Sequence, residues 1–161
     1  MPEAPAMLSP EEMQIPQEID ISVAIPSTPL GFLISYKDKY ATQEDLFEDD
    51  LFASRLKALD RFNYDALLQN YNKETKISIV DNIAHMSGCK ADDCPTRGYE
   101  FFIDIDNDNI NVFLFRSNML KVYHEKGLIE LPMQFAKELE VKKEKAKIGS
   151  IDDTQSTYSI D

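Results

Sequence analysis

The pattern of apolar and polar positions divides the chain into a helical first part, a run of strands and a final helix. Apolar residues recur at helical spacing over residues 43–60, with charged residues between them, and predict an amphipathic helix. Thr42 followed by Asp45 resembles a capping box at the start of this helix. Apolar residues at 62–68 predict a second short helix or turn, and this stripe is typical of a core rather than a cofactor site.

After residue 72 the periodicity becomes that of strands. Alternation predicts one or two strands over 77–79 and 83–86, with a turn or bulge at 81–82. Further strands are predicted at 99–105, 110–114 and 119–123, with turns at 106–109 and 125–127. Pro132 fits the first residue of a final helix that carries Phe135 and Leu139. This order predicts an α+β fold, an antiparallel meander of about five strands with an N-terminal and a C-terminal helix packed on it. We expect both helices against one face.

The two ends of the chain differ from its middle. Six of the eight prolines fall in residues 1–29, which predicts an extended, Pro-rich arm. Alternating apolar residues at 19–25 could add one edge strand to the sheet. Residues 149–161 are polar and predict a disordered tail, which assigns the folded domain to residues 30–148.

Composition and charge narrow the classes of partner. The 161 residues contain 43% apolar and 29% charged residues, as expected for one globular domain, and no apolar run is long enough to span a bilayer. A net charge of −12 repels nucleic acids and anionic membranes, and it attracts a basic partner toward the protein. The same charge can equally serve only to keep the protein in solution. The first residues have no basic and apolar segments, so we expect no signal peptide. A mature periplasmic or secreted protein and a cytoplasmic one both stay open.

Two cysteines, Cys89 and Cys94, bracket a short acidic loop between two predicted strands. The four residues between them are Lys90, Ala91, Asp92 and Asp93. If oxidised, the cysteines close a ring worth about 2 kcal/mol and hold the loop in one shape, which reduces the entropy lost on binding. A reduced pair in a cytosolic protein is the alternative.

Other site chemistry finds less support. The two histidines, His85 and His124, could complete a zinc site with the cysteines, but the spacing is poor for a structural site. Residues 104–108 begin like a calcium loop, yet Asn109 and Phe115 stand where Gly and Glu are required. There is no Gly-rich phosphate loop, and a Cys–His nucleophile is less favoured than a disulfide. We therefore predict no metal, no cofactor and no enzymatic activity.

The cysteine loop resembles that of the Ivy family, the inhibitors of vertebrate lysozyme. That family carries a disulfide-closed Cys-Lys-Pro-His-Asp-Cys loop on a small periplasmic α+β domain, and the loop His meets the two catalytic carboxylates of lysozyme. Both cysteines, Lys90 and Asp93 match, whereas Ala91 replaces Pro and Asp92 replaces His. The layout is similar over about residues 43–140, and residue identity is confined to the loop and its flanks.

The resemblance implies a periplasmic binding protein that inserts its loop into an active site. Its partner would be a basic glycan-cleaving enzyme, namely a lysozyme, a lytic transglycosylase or an effector muramidase, as for an immunity-type relative; a homodimer is an open option. The contacts would come from Lys90, Ala91, Asp92 and Asp93, held by the Cys89–Cys94 disulfide.

Asp92 is the departure that matters physically. An ionised Asp facing two acids is repelled unless it takes up a proton, at about 1.4 kcal/mol per unit of pKa shift. We therefore expect weaker inhibition of a standard lysozyme unless Lys90 supplies the cation. The alternative is a non-inhibitory interaction or adaptor domain that binds proteins through its arm or hairpin face.

Overall fold

A seven-stranded sheet forms the centre of the protein, for which a computed structural model describes residues 28–94 and 97–153. The strands are β1 (Lys73–Glu74), β2 (Ser78–Val80), β3 (Ile83–Cys89), β4 (Arg97–Asp104), β5 (Asn109–Arg116), β6 (Met119–His124) and β7 (Ser150–Asp153). The order is β1-β3-β4-β5-β6-β7, with β2 also paired to β3, and all pairs are antiparallel except β6–β7.

Helices flank this sheet. The α-helices are α1 (Asp50–Ala58), α2 (Tyr64–Gln69) and α3 (Met133–Lys145), and 3-10 helices span Pro29–Tyr36 and Leu46–Glu48. The predicted α+β class is confirmed. Among the described residues, no helix combines the length and the apolar character that crossing a membrane requires.

The strand prediction holds for five strands and misses two. β1 has two residues, too few for any periodicity to be visible. β7 occupies Ser150–Asp153, so the prediction of a disordered tail is wrong for these four residues. Main-chain pairing to β6 holds β7, and such pairing leaves no apolar pattern in the sequence. The rest of the predicted tail, and the predicted arm with its edge strand up to residue 27, lie outside the described residues.

The first helix starts later than its periodicity predicts. α1 begins at Asp50, and the carboxylate of Asp49 caps it by accepting a hydrogen bond from the Phe52 N–H at 3.0 Å. Asp45 has a left-handed φ of 54°, and the Thr42 hydroxyl donates to Glu74 instead, so the predicted capping box is absent. The 3-10 helix places its apolar residues at nearly the same spacing, which is why one long helix was expected.

Two separate cores cover the two faces of the sheet. On one face, Tyr99, Phe101 and Ile103 of β4 pack with α1, α2 and the 3-10 helices. On the other face, Phe102 of β4 packs with Phe135 of α3 and its neighbours. The expectation that both helices cover one face is therefore wrong. Phe101 and Phe102 are both 0% exposed, and a strand with apolar residues on both sides needs a cover on each.

Candidate functional site

The two cysteines join the end of β3 to the segment before β4. Cys89 and Cys94 form a disulfide whose Cα atoms lie 5.6 Å apart. Neither cysteine of the chain is therefore free as a nucleophile or a metal ligand. The oxidised alternative considered from the sequence is the one that the structure contains.

A tight turn forms the tip of this disulfide loop. The Asp93 N–H donates to the Lys90 carbonyl at 2.9 Å, and Asp92 has a φ of 76°, as the third residue of a type II turn does. Ala91 occupies the second position, where such turns favour Pro. Its N–H donates to Asn72 Oδ1 at 3.3 Å, a hydrogen bond that Pro has no donor to make. With Ala91 the turn lacks the fixed backbone angle of Pro, but it is held by the hydrogen bond to Asn72.

Backbone hydrogen bonds fix the base of the loop on both sides. The Lys90 N–H donates to the Arg97 carbonyl at 3.2 Å, and the Arg97 N–H donates to the Asp93 carbonyl at 2.9 Å. Arg97 Nε also lies 3.5 Å from Asp93 Oδ2. From the other side, the Asn72 N–H donates to the Cys89 carbonyl at 3.0 Å. The loop is thus oriented by its surroundings as well as by its disulfide.

Two glycines at the base allow this close packing. A Cβ atom on Gly88 would lie 2.4 Å from the ring of Tyr71. Gly98 pairs with Cys89 across the strands, and a Cβ atom on it would lie 2.9 Å from the Cys89 Cβ. Each position has room only for hydrogen. The sequence signal for this crowding is a Gly on each strand at the point where the loop begins.

The four predicted contact residues differ in exposure. Lys90, Ala91 and Asp92 are exposed, whereas Asp93 is half-buried beside Arg97. Within the part of the chain that the structure describes, the side chains of Lys90 and Asp92 make no hydrogen bond or ion pair. One ammonium group and one carboxylate at the tip are thus presented to a partner.

A groove of about 340 Å³ runs beside the disulfide on the α3 side of the sheet. It is lined by residues that include Thr75, Ser87, Cys94, Glu100, Phe115 and Lys142. Its exposed surface is mainly apolar, with the polar groups of Thr75, Ser87, Glu100 and Lys142 among its lining, a combination typical of a surface that receives another molecule. The groove and the loop together offer one continuous contact surface.

A buried polar cluster that the sequence did not reveal closes one wall of this groove. His85 Nε2 lies 2.6 Å from Glu100 Oε1, and Lys142 Nζ donates to the same carboxylate. The His85 ring stacks on Phe102 with centroids 4.7 Å apart.

His124, the other histidine, for which the sequence predicts no role, is also buried. Its Nε2 lies 2.8 Å from Asp153 Oδ1.

The arrangement of these side chains does not support a metal site. Across residues 28–94 and 97–153, no three His, Cys, Asp or Glu side chains are grouped as metal ligands would be. Each histidine instead faces a carboxylate, and the two cysteines bond to each other.

Comparison with known proteins identifies the family. The family model described as "Inhibitor of vertebrate lysozyme (Ivy)" matches residues 52–145, more than half of the chain. The match runs from within α1 to the end of α3 and contains the disulfide loop, the groove and the buried cluster. No curated protein and no solved structure matches the chain. The chain therefore belongs to the Ivy family.

Proposed function

We propose that this protein inhibits a lysozyme-like, peptidoglycan-cleaving enzyme by inserting its Cys89–Cys94 loop into the active-site cleft. The observation that carries the proposal is the closed loop, whose exposed tip is anchored by the disulfide and by backbone hydrogen bonds between the end of β3 and the start of β4. Membership of a family named for lysozyme inhibition supports the enzyme class. On this proposal the protein has no catalytic activity of its own.

Lys90 supplies the inhibitory charge. Glycoside hydrolases use one protonated and one ionised carboxyl group in their cleft. An ammonium group placed beside them lowers the pKa of the general acid, so that it loses the proton that it must donate. The exposed Lys90 side chain has no competing partner among the described residues and is available for this contact.

Asp92 tunes the choice of target. Its carboxylate, at the tip of the turn, meets the negative field of the target cleft and weakens binding there. Asp93 is turned toward Arg97, and this ion pair offsets part of its charge. The loop therefore fits best a target whose cleft carries a cation opposite Asp92; lytic transglycosylases and effector muramidases are the target classes to test for this.

The protein works in an oxidising compartment, the periplasm or the outside of the cell. A disulfide that shapes the binding loop persists there and is reduced in the cytosol. The net charge of −12 speeds encounter with a basic enzyme. Peptidoglycan-cleaving enzymes act in the same compartment, so inhibitor and target meet.

An inhibition assay tests the proposal with a panel of three enzymes, a vertebrate lysozyme, a lytic transglycosylase and an effector muramidase. We expect the oxidised protein to inhibit at least one, and Lys90→Ala to weaken that inhibition about tenfold or more. Asp92→His should strengthen inhibition of the vertebrate lysozyme. Lys126→Ala, at the opposite end of the sheet, is the matched control and should leave inhibition unchanged.

Two results contradict the proposal. One is the absence of inhibition and binding with all three enzymes. The other is inhibition that Lys90→Ala and Lys126→Ala leave equally intact, which would place the contact surface outside the loop.

A further inference from the structure

Three of the four arginines of this acidic chain line a single cavity. Arg55 is fully engaged by Asp108 and Glu125. The other three, Arg61, Arg97 and Arg116, line a cavity of about 310 Å³ together with Lys121. Among the described residues, no Asp or Glu lines it, although the chain has 29 acidic residues.

The strand register forces two of these cations together. Arg97 of β4 lies directly opposite Arg116 of β5, and like charges in that relation destabilise a sheet. Lys121 of β6 pairs with Leu114, two residues before Arg116 and on the same face. This face is the one opposite α3, so the cavity is distinct from the groove beside the disulfide.

Neighbouring carboxylates neutralise the cavity only in part. Asp60 Oδ2 lies 3.8 Å from Arg61 Nε, and Asp93 Oδ2 lies 3.5 Å from Arg97 Nε. Asp152 pairs with Lys121 in strand register without a direct ion pair. Arg116 has no ion pair with any described residue. An unpaired guanidinium beside a second one is a strong site for an oxyanion, because its planar fork matches carboxylate and phosphate groups.

Two tyrosines, Tyr99 and Tyr123, are among the residues that line the cavity. Tyr99 and Tyr123 are both buried, and burial raises the pKa of Tyr99 to about 12 and raises the pKa of Tyr123 as well. Both hydroxyl groups therefore stay protonated at neutral pH and can donate to an anion. The Asn70 side chain also lines the cavity.

We propose that this cavity binds a small, multivalent oxyanion, a molecule with two or more carboxylate or phosphate groups. The cations and hydroxyl groups supply donors on several sides, and a volume of about 310 Å³ accommodates a ligand of this size. Binding relieves the repulsion between Arg97 and Arg116. The site does not depend on lysozyme inhibition and would stand if that proposal failed.

Calorimetric titration with pyrophosphate and with citrate, at constant low ionic strength, tests this site and tells phosphate from carboxylate. We expect saturable one-to-one binding of at least one anion. Arg116→Gln, an exposed position at the end of β5, should weaken binding about tenfold, and Lys121→Gln should also weaken it. Lys126→Gln removes a cation at the opposite end of the sheet and should change nothing.

Tighter binding of citrate would identify a carboxylate ligand, and tighter binding of pyrophosphate would identify a phosphate ligand; either supports the site. Absence of saturable binding by both anions would overturn it. The same holds if Lys126→Gln weakens binding as much as Arg116→Gln, because the attraction would then be diffuse. Circular dichroism of each variant confirms that the fold is intact.

Discussion

The carboxylate of Glu100 lies 2.6 Å from His85 Nε2, although the Glu100 side chain is only 5% exposed. Lys142 of α3 donates to the same group, so a buried acid links the two strands β3 and β4 to the helix. A buried charge is tolerated only with such partners. The cluster therefore fixes α3 on the sheet beside the loop.

Glu100→Ala should lower the free energy of unfolding by about 3 kcal/mol, because it leaves Lys142 and His85 without their shared partner. Urea denaturation measures this loss. Glu138→Ala is the control, since Glu138 is 57% exposed and lies 3.9 Å from His85 Nδ1, and its loss should be within about 0.5 kcal/mol. Equal effects of the two substitutions would show that the buried cluster is not what holds α3.

Acid should weaken the ion pair between Arg55 and Asp108. Arg55 Nη1 donates a hydrogen bond to Asp108 Oδ1 at 2.6 Å. This hydrogen bond lowers the pKa of Asp108 below its ordinary value of 3.8. A lowered folded-state pKa means that ionised Asp108 stabilises the fold above about pH 4, and that this contribution is lost as the pH falls through the folded-state pKa. Urea denaturation at about pH 5 and about pH 3 should show this loss.

Asp108→Asn should show a smaller fall in stability between these two pH values than the unsubstituted protein. Asp65→Asn, which alters an exposed carboxylate in α2, should retain the full fall. If Asp108→Asn keeps the full pH dependence, the ion pair with Arg55 does not contribute to it.

Tyr71→Phe should stabilise the protein by about 1 kcal/mol. The Tyr71 hydroxyl group is buried and has no hydrogen-bond partner among the described residues, and burial raises its pKa well above the ordinary value. Tyr64→Phe is the matched substitution with the opposite sign, because the Tyr64 hydroxyl donates to the Phe47 carbonyl. Thermal unfolding compares the two variants, and a lower midpoint for Tyr71→Phe would contradict the prediction.

Replacement of Cys89 and Cys94 together by Ser should cost about 2 kcal/mol in the chain-entropy model. We expect a larger effect on inhibition than on folding, because the open loop must lose entropy on binding. Denaturation and the inhibition assay measure the two effects. Unchanged inhibition would show that the backbone hydrogen bonds between Lys90 and Arg97 suffice to shape the loop.

How far the sequence predicts this fold depends on the range of the interactions. The alternation of apolar and polar residues located β4 and β5, because successive side chains of a strand point to opposite faces of the sheet. Alternation does not show that Glu100 is buried, because α3 covers its face of the sheet from about 40 residues further along the chain. Periodicity carries no information on which distant element provides the cover.

The candidate site divides in the same way. The disulfide loop is contiguous, so its residues and its resemblance to the Ivy family are visible in the sequence. The anion cavity is assembled from three separate segments, at Arg61, at Arg97 and at residues 116–121, and only the strand register brings them together. No local pattern marks such a site before the register is known.

The parallel pairing of β7 with β6 decides where the chain can be tethered. β6 and β7 both run away from the loop end of the sheet, so the described chain leaves at Asp153 about three residues, or roughly 10 Å, from that end. A surface anchor or fluorescent label attached after Asp153 starts at the β7 edge of the sheet, with β5 and β6 between it and the strand β4 that follows the loop. Immobilised binding measurements are therefore best made with the attachment at the C-terminal side, which leaves the loop facing solution.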